Sequence, residues 1–221
     1  MALYAIGDIH GSLPALKSIF NQNVITKDDL VIFLGDYVDR GPNSKGVLDW
    51  LITHSSRYHF KFIGGNHEIM MKEAKTSTEK LLTWLHFGGA ATLESYDIGN
   101  DPQWMRVIDP AHWAFIDTCL PYYERNDFIF VHAGLEKGKD LSAQNEDYLF
   151  WKKFELPGPY QDGKTVVCGH TSRKNGEIAN FGHTICIYTN ALGVMWLTCL
   201  NVETKEYIKA NNLGRIQLGR L

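Results

Sequence analysis

Five apolar runs of strand length, each ending at a residue able to bind a metal or move a proton, constrain this chain more than any other feature of its sequence. They are Leu3-Tyr4-Ala5-Ile6 before Gly7-Asp8, Leu30-Val31-Ile32-Phe33-Leu34 before Gly35-Asp36, and Phe60-Lys61-Phe62-Ile63 before Gly64-Gly65-Asn66-His67. Phe128-Ile129-Phe130-Val131 before His132 and Thr165-Val166-Val167-Cys168 before Gly169-His170 complete the set. Short runs rich in β-branched and aromatic residues read as buried strands. Between the first three lie stretches, 13–20 and 44–53, whose apolar residues recur at helical spacing, as in Leu48, Leu51 and Ile52. Strand and helix therefore alternate, and in α/β sheets of this kind ligands sit beyond the carboxyl ends of the strands. All of these polar residues emerge there, so five separated segments are expected to converge on one pocket.

The rest of the chain reads as cover for that pocket. A length of 221 residues fits one domain, 1–221, around one core. From about 70 to 125 the pattern is helical and aromatic, with Trp84, Trp104 and Trp113 and the breakers Pro102 and Pro110, and is expected to form a helical insert. Segment 142–163 is irregular and holds Trp151-Lys152-Lys153 and Pro157-Gly158-Pro159, as a loop over a site would. Segments 184–188, 194–201 and 207–210 read as closing antiparallel strands.

Asp8-Ile9-His10 puts two ligating side chains on one side of an extended strand end, because residues two apart point the same way. Alone, such a triplet is weak, since an Asp before a helix is commonly an N-cap. Asp36 repeats the arrangement after the most apolar run, where a lone buried carboxylate is costly unless paired or metal-bound; bridging two cations is one solution. Asn66, His132 and His170 add an amide oxygen and two imidazoles. Mixed oxygen and nitrogen ligation suits Mn²⁺, with Fe or Zn²⁺ as alternatives, and the lack of thiolates argues against a closed structural zinc site. Two divalent ions about 3.5–4 Å apart activate a shared water and clamp the entering and departing oxygens of a displacement at phosphorus. His67, beside Asn66, is better used as general acid, with Asp39 orienting it. Arg40 offers the planar fork that matches phosphate oxygens. Neither a P-loop nor a dinucleotide fingerprint is present, which removes support for a kinase or a dinucleotide oxidoreductase.

Charge and cysteine usage narrow the setting. A net charge of −3 gives no general cationic surface, so neither nucleic acid nor an anionic membrane is an expected partner. The four widely spaced cysteines read as reduced core residues. No apolar run approaches the ~20 residues of a membrane span, and the expected setting is cytoplasmic.

Gly7-Asp8-Ile9-His10-Gly11, Gly35-Asp36-Tyr37-Val38-Asp39-Arg40-Gly41, Gly65-Asn66-His67-Glu68 and His132-Ala133-Gly134, in that order, resemble the signature set of the PPP family of metallophosphatases, within the calcineurin-like metallophosphoesterase superfamily. Gly169-His170-Thr171 is similar to a block of its small bacterial and phage serine/threonine phosphatases. The resemblance implies an α/β fold with a central β-sandwich flanked by helices in four αββα layers. It implies Asp8, His10 and Asp36 on one metal, and Asp36, Asn66, His132 and His170 on the other. It also implies His67 with Asp39 as proton donor pair, Arg40 on the phosphate, and phosphoprotein or phosphopeptide substrates. Two other functions are weighed: a symmetrical dinucleoside tetraphosphate hydrolase, whose third block usually ends in Asp where this chain has Glu68, and a catalytically weakened metal-dependent binding module.

Three departures from the family pattern bear on substrate binding. Gly64 stands where members commonly carry arginine, and the arginine expected after Trp151 is Lys152 or Lys153, both taken as substrate-binding. Arg173 or Lys174 is expected to make up the loss. A terminal Asp-Thr-Gly segment reads Tyr188-Thr189-Asn190-Ala191. Of the other histidines, His54, His59, His86, His112 and His183 read as surface or core residues, with His86, before Gly88-Gly89, the one most apt to touch substrate.

Overall fold

Tyr4 and Ile6 lie on one face of strand β1 (Leu3–Ile6), Leu3 and Ala5 on the other, and both faces are buried. Such a strand needs cover on both sides. The computed structural model, which describes residues 1–99, 101–160, 163–192 and 195–221, supplies it with a second sheet on one side and helices on the other. β1 runs parallel to β2 (Leu30–Phe33), and β2 to β3 (His59–Phe62). On its other edge β1 pairs antiparallel with β9 (Leu197–Asn201), followed by β10 (Glu206–Ala210) and β11 (Ile216–Arg220), giving the order β11-β10-β9-β1-β2-β3.

The second sheet contains β4 (Tyr122–Arg125), β5 (Phe128–Val131), β6 (Thr165–Cys168), β7 (Ala179–Asn180) and β8 (Thr184–Cys186), in the order β4-β5-β6-β8-β7. Leu3, Ala5, Ile32 and Leu34 of the first sheet pack on Phe130, Val167 and Ile185 of the second. Helices α1 (Leu13–Phe20) and α2 (Ser44–Ser55) cover the outer face of the first sheet through Leu16, Ile19, Leu48 and Leu51. A sandwich flanked by helices is thus the architecture, as expected. The layer outside the second sheet is thinner than an αββα arrangement implies: Leu149, Phe150 and Tyr160, from short helical turns and loop, pack on Ile129, Val131 and Val166.

The insert holds α3 (Asn66–Glu73), α4 (Thr78–Trp84), α5 (Ala90–Ser95), α6 (Trp104–Val107) and α7 (Pro110–Asp117), with a π-helical turn, Leu85–Gly89, between α4 and α5. It stops short of the expected residue 125. Residues 122–125 form β4, whose partly exposed Tyr-Tyr-Glu-Arg sequence hides any alternation. A second correction concerns residues 184–188: β8 pairs parallel with β6 and antiparallel only with the two-residue β7. β9 and β10 close the other sheet antiparallel, as expected, although Val194 lies outside the described residues. Positions 161–162 of the predicted loop also lie outside them. Among the described residues no helix is long and apolar enough to cross a membrane.

Candidate active site

Four strand-end loops are fastened to one another at this end of the sandwich. Ile9 and His10 donate their N–H groups to the Asp36 carbonyl at 3.0 and 2.7 Å, and Gly169 N–H donates to the His132 carbonyl at 2.8 Å. His170 N–H donates to the Asp8 carboxylate, at 3.0 Å to Oδ2. Gly65 and Gly169 are required by close approach, since a Cβ at either would collide with the carboxylate of Asp36 or Asp8.

The loops are strained where the chemistry lies. His10, Asp36, Asp39, Arg40 and His170 all have left-handed backbone, with φ between 44° and 71°. Each such residue costs on the order of 1–3 kcal/mol and persists only where its surroundings hold it. Glu68 holds the second loop. Its buried carboxylate accepts N–H groups from Asp36 (2.9 Å), Tyr37 (2.8 Å), Val38 (3.3 Å) and Gly65 (2.8 Å). At about 0.5–1.5 kcal/mol net for each hydrogen bond, the four together are enough to offset the strain at Asp36. Burial, with Asp36 nearby, pushes Glu68 up to about 7.

Backbone carbonyls set the tautomers of three imidazoles. His10 Nδ1–H donates to Val38 O at 2.9 Å, His132 Nδ1–H to Leu34 O at 2.8 Å, and His170 Nε2–H to Trp151 O at 2.9 Å. The remaining ring nitrogens carry lone pairs, and these converge. His132 Nε2 and His170 Nδ1 each lie 3.0 Å from Asn66 Oδ1, and His132 Nε2 lies 3.5 Å from Asp36 Oδ1. His10 Nε2 lies 3.4 Å from Asp36 Oδ2. Around Asn66 and Asp36 acceptors face acceptors in a buried cluster and are mutually repulsive unless a cation lies among them, so the donor set fits divalent metal ions; at His10 Nε2 the Arg40 guanidinium supplies the positive charge. Two compact groups of ligating atoms result, Asp36 with His132 and His170, and Asp36 with His10 and His67, and Asp36 is common to both.

Asp8 is the expected ligand outside both compact groups; its carboxylate is turned to the His170 N–H. Burial and the neighbouring Asp36 raise its pKa well above the carboxylate range. Burial also opposes ionisation of Asp36, but His132, His67, His10 and His170 together hold it below that range.

His67 differs from the other three imidazoles in the partner of its Nδ1 and in the direction of its pKa shift. Its Nδ1 lies 2.7 Å from Asp39 Oδ2, and its Nε2 is buried with no hydrogen-bond partner. Burial drives His10 down to about 3 and His170 down to about 4, and lowers His132 as well, leaving the neutral form that metals bind. Burial also pulls on His67, but Asp36 and Asp39 overcome it, and its pKa is raised. Three imidazoles are thus held ready to donate a lone pair and one to donate a proton.

A cavity of about 420 Å³ opens onto this cluster, with Asp36, Asn66 and His170 in its wall. Arg40 also lines it, and its Nη1 donates to His10 Nε2 at 2.9 Å and to the Tyr188 hydroxyl at 3.2 Å. Lys153 and Lys174 line it too. Lys152, expected beside them, instead lies over the Tyr148 ring, 5.3 Å from its centroid, and lines a different cavity. Exposed Phe87 and Trp151 form the rim, while His86, though exposed, is not among the lining residues. His112 is buried between the Tyr96 hydroxyl and Asp49, a core role.

Four supporting residues escaped sequence reasoning: Glu68 as a clamp, Tyr188 behind Arg40, and Trp84 and Thr92 behind Asp39. Only Glu68 carried a local signal, as the third residue of a helix whose N-cap N–H it accepts. Tyr188 also accounts for one change in the terminal segment, because its hydroxyl accepts from Arg40.

Comparison with known proteins gives the family and agrees with the fold. The family model described as calcineurin-like phosphoesterase matches residues 1–194. A symmetrical bis(5'-nucleosyl)-tetraphosphatase of Salmonella paratyphi B is 24% identical over 281 residues, covering 99% of this chain and 98% of that protein. Among solved structures, a putative diadenosine tetraphosphatase superposes with a TM-score of 0.68 at 17% identity, covering 99% of this chain and 92% of the other. A protein serine/threonine phosphatase from Saccharomyces cerevisiae superposes with a TM-score of 0.62 at 16% identity, covering all of this chain and 80% of the other.

Proposed function

Because the chain belongs to the calcineurin-like phosphoesterase family, we propose that it is a metal-dependent phosphomonoesterase acting on phosphoserine and phosphothreonine in proteins. Asp8, His10 and Asp36 would hold one divalent cation, and Asp36, Asn66, His132 and His170 a second, with Mn²⁺ the favoured metal and Fe or Zn²⁺ the alternatives. Bound there, the two cations supply an activated water and neutralise charge on the phosphoryl oxygens.

The protein's own groups do the rest. Arg40 presents its guanidinium to the phosphoryl group, and Lys153 and Lys174 add point charges in place of forked arginines. Asp39 fixes His67 through Nδ1, and His67 Nε2–H delivers a proton to the departing oxygen. That orphaned, carboxylate-backed Nε2 carries the reading. A serine or threonine alkoxide is a poor leaving group and depends on such a proton, whereas the phosphate of a departing nucleoside diphosphate depends on it far less.

The 24% identity to symmetrical tetraphosphatases along the full chain favours a second reading, hydrolysis of a dinucleoside tetraphosphate. Comparing kcat/KM on a phosphoserine peptide with that on diadenosine tetraphosphate, both with Mn²⁺, separates the two. The phosphopeptide is expected to be the better substrate; a large preference for the dinucleotide overturns the proposal. A cytoplasmic setting belongs to the same reading and accords with four free cysteines.

A further inference from the structure

Asp39 and Arg40 are held from outside by one stretch of the insert. Trp84, the last residue of α4, is fully buried, and its Nε1–H is shared between both Asp39 carboxylate oxygens at 3.0 and 2.9 Å. Thr92, in α5 and also fully buried, donates its hydroxyl to Asp39 Oδ1 at 2.7 Å and accepts the Asp39 N–H at 2.9 Å. Between them Gly88, at φ 117°, accepts the Arg40 N–H at 3.0 Å, and a Cβ there would come within 2.9 Å of Arg40 N. Positive φ and close approach together leave room only for glycine.

These contacts could merely satisfy a buried carboxylate. The His67 ring argues for more. Its Nε2 has no partner, so no hydrogen bond of its own fixes where that nitrogen points, and the one hydrogen bond that orients the ring, packed edge-on against His10, runs from its Nδ1 to Asp39. Whatever rotates the Asp39 carboxylate therefore re-aims the proton. We propose that Trp84 and Thr92 are positioning residues that set the direction of His67 Nε2 through Asp39, so that the insert is part of the catalytic apparatus rather than a cover over it. This rests on His67 being the proton donor.

The test uses the full chain with Mn²⁺ and two esters, phenyl phosphate with a poor leaving group and p-nitrophenyl phosphate with a good one. Trp84→Phe and Thr92→Val are expected to lower kcat on phenyl phosphate by about 10–100-fold, the usual cost of losing a partner one step behind a functional imidazole. On p-nitrophenyl phosphate the loss is expected to stay within about 3-fold, because less proton transfer is needed. KM should hold for both, and Thr92→Ser should recover most of what Thr92→Val loses. In the metal-free protein, ¹⁵N-histidine NMR should show the His67 Nδ1–H resonance moving in Trp84→Phe and Thr92→Val and returning in Thr92→Ser. Equal losses on the two esters, or an unmoved resonance, overturn the positioning role; the Thr92 pair decides it if Trp84→Phe does not fold. His67→Ala is the control: if it too lowers both esters equally, the proton-donor reading itself fails.

Discussion

Replacing His67 by alanine is expected to lower turnover on a phosphoserine peptide by about 10²–10⁴-fold, the range that general acids contribute. The protein should nevertheless keep two bound cations per chain. The expectation follows from the ring's two ends: Nδ1 is committed to Asp39, and Nε2 is buried beside Asp36 and His10 without a partner. Because His67 also completes a compact group with those two residues, the same geometry would serve a metal ligand. Metal content separates the roles. Steady-state kinetics with elemental analysis of the purified variant should find slow turnover and full metal; loss of one cation would make His67 a ligand and leave the reaction without this donor.

Asp36→Ala should have the larger effect, taking activity to background and metal content below one per chain. Asp36 is the residue common to both groups of ligating atoms, and four imidazoles surround its carboxylate. Without it, His10 on one side and His132 and His170 on the other have no anionic ligand in common. Asp36→Asn serves as the gentler variant, since an amide oxygen can still accept the His67 N–H that Asp36 Oδ1 receives at 3.1 Å. It too should lose metal, because the shared charge is gone while the shape is kept. Retention of two cations by a folded Asp36→Asn would show that this residue bridges nothing.

The parts of this site that were legible in the sequence are those that a strand end delivers automatically. An apolar run followed by Asp, Asn or His places that residue beyond the sheet, and Asp8, Asp36, Asn66, His132 and His170 all emerge there. What was illegible depends on long-range contact. Trp84 reaches Asp39 across 45 positions and Tyr188 reaches Arg40 across 148, and neither distance leaves a mark on local composition. Lys152 and Lys153 are adjacent and alike, yet of the two only Lys153 lines the cavity beside Asp36, Asn66 and His170, a choice made by the extended backbone that follows the helical turn 147–151. In the fold, β1 and β2 were plain because both faces are buried, while β4 is partly exposed and β7 has only two residues. The direction of β8 was beyond reach for a different reason: apolar periodicity marks a strand but not the sense in which it pairs.

The proposed chemistry requires two cations held side by side by the one carboxylate common to both ligand groups, Asp36. Electron paramagnetic resonance of the Mn²⁺-loaded protein reads that arrangement directly, because neighbouring bridged ions couple their spins. The account predicts a coupled dinuclear spectrum at two equivalents of Mn²⁺, lost in Asp36→Asn. An isolated-ion signal that saturates at one equivalent, unchanged by that substitution, would contradict it.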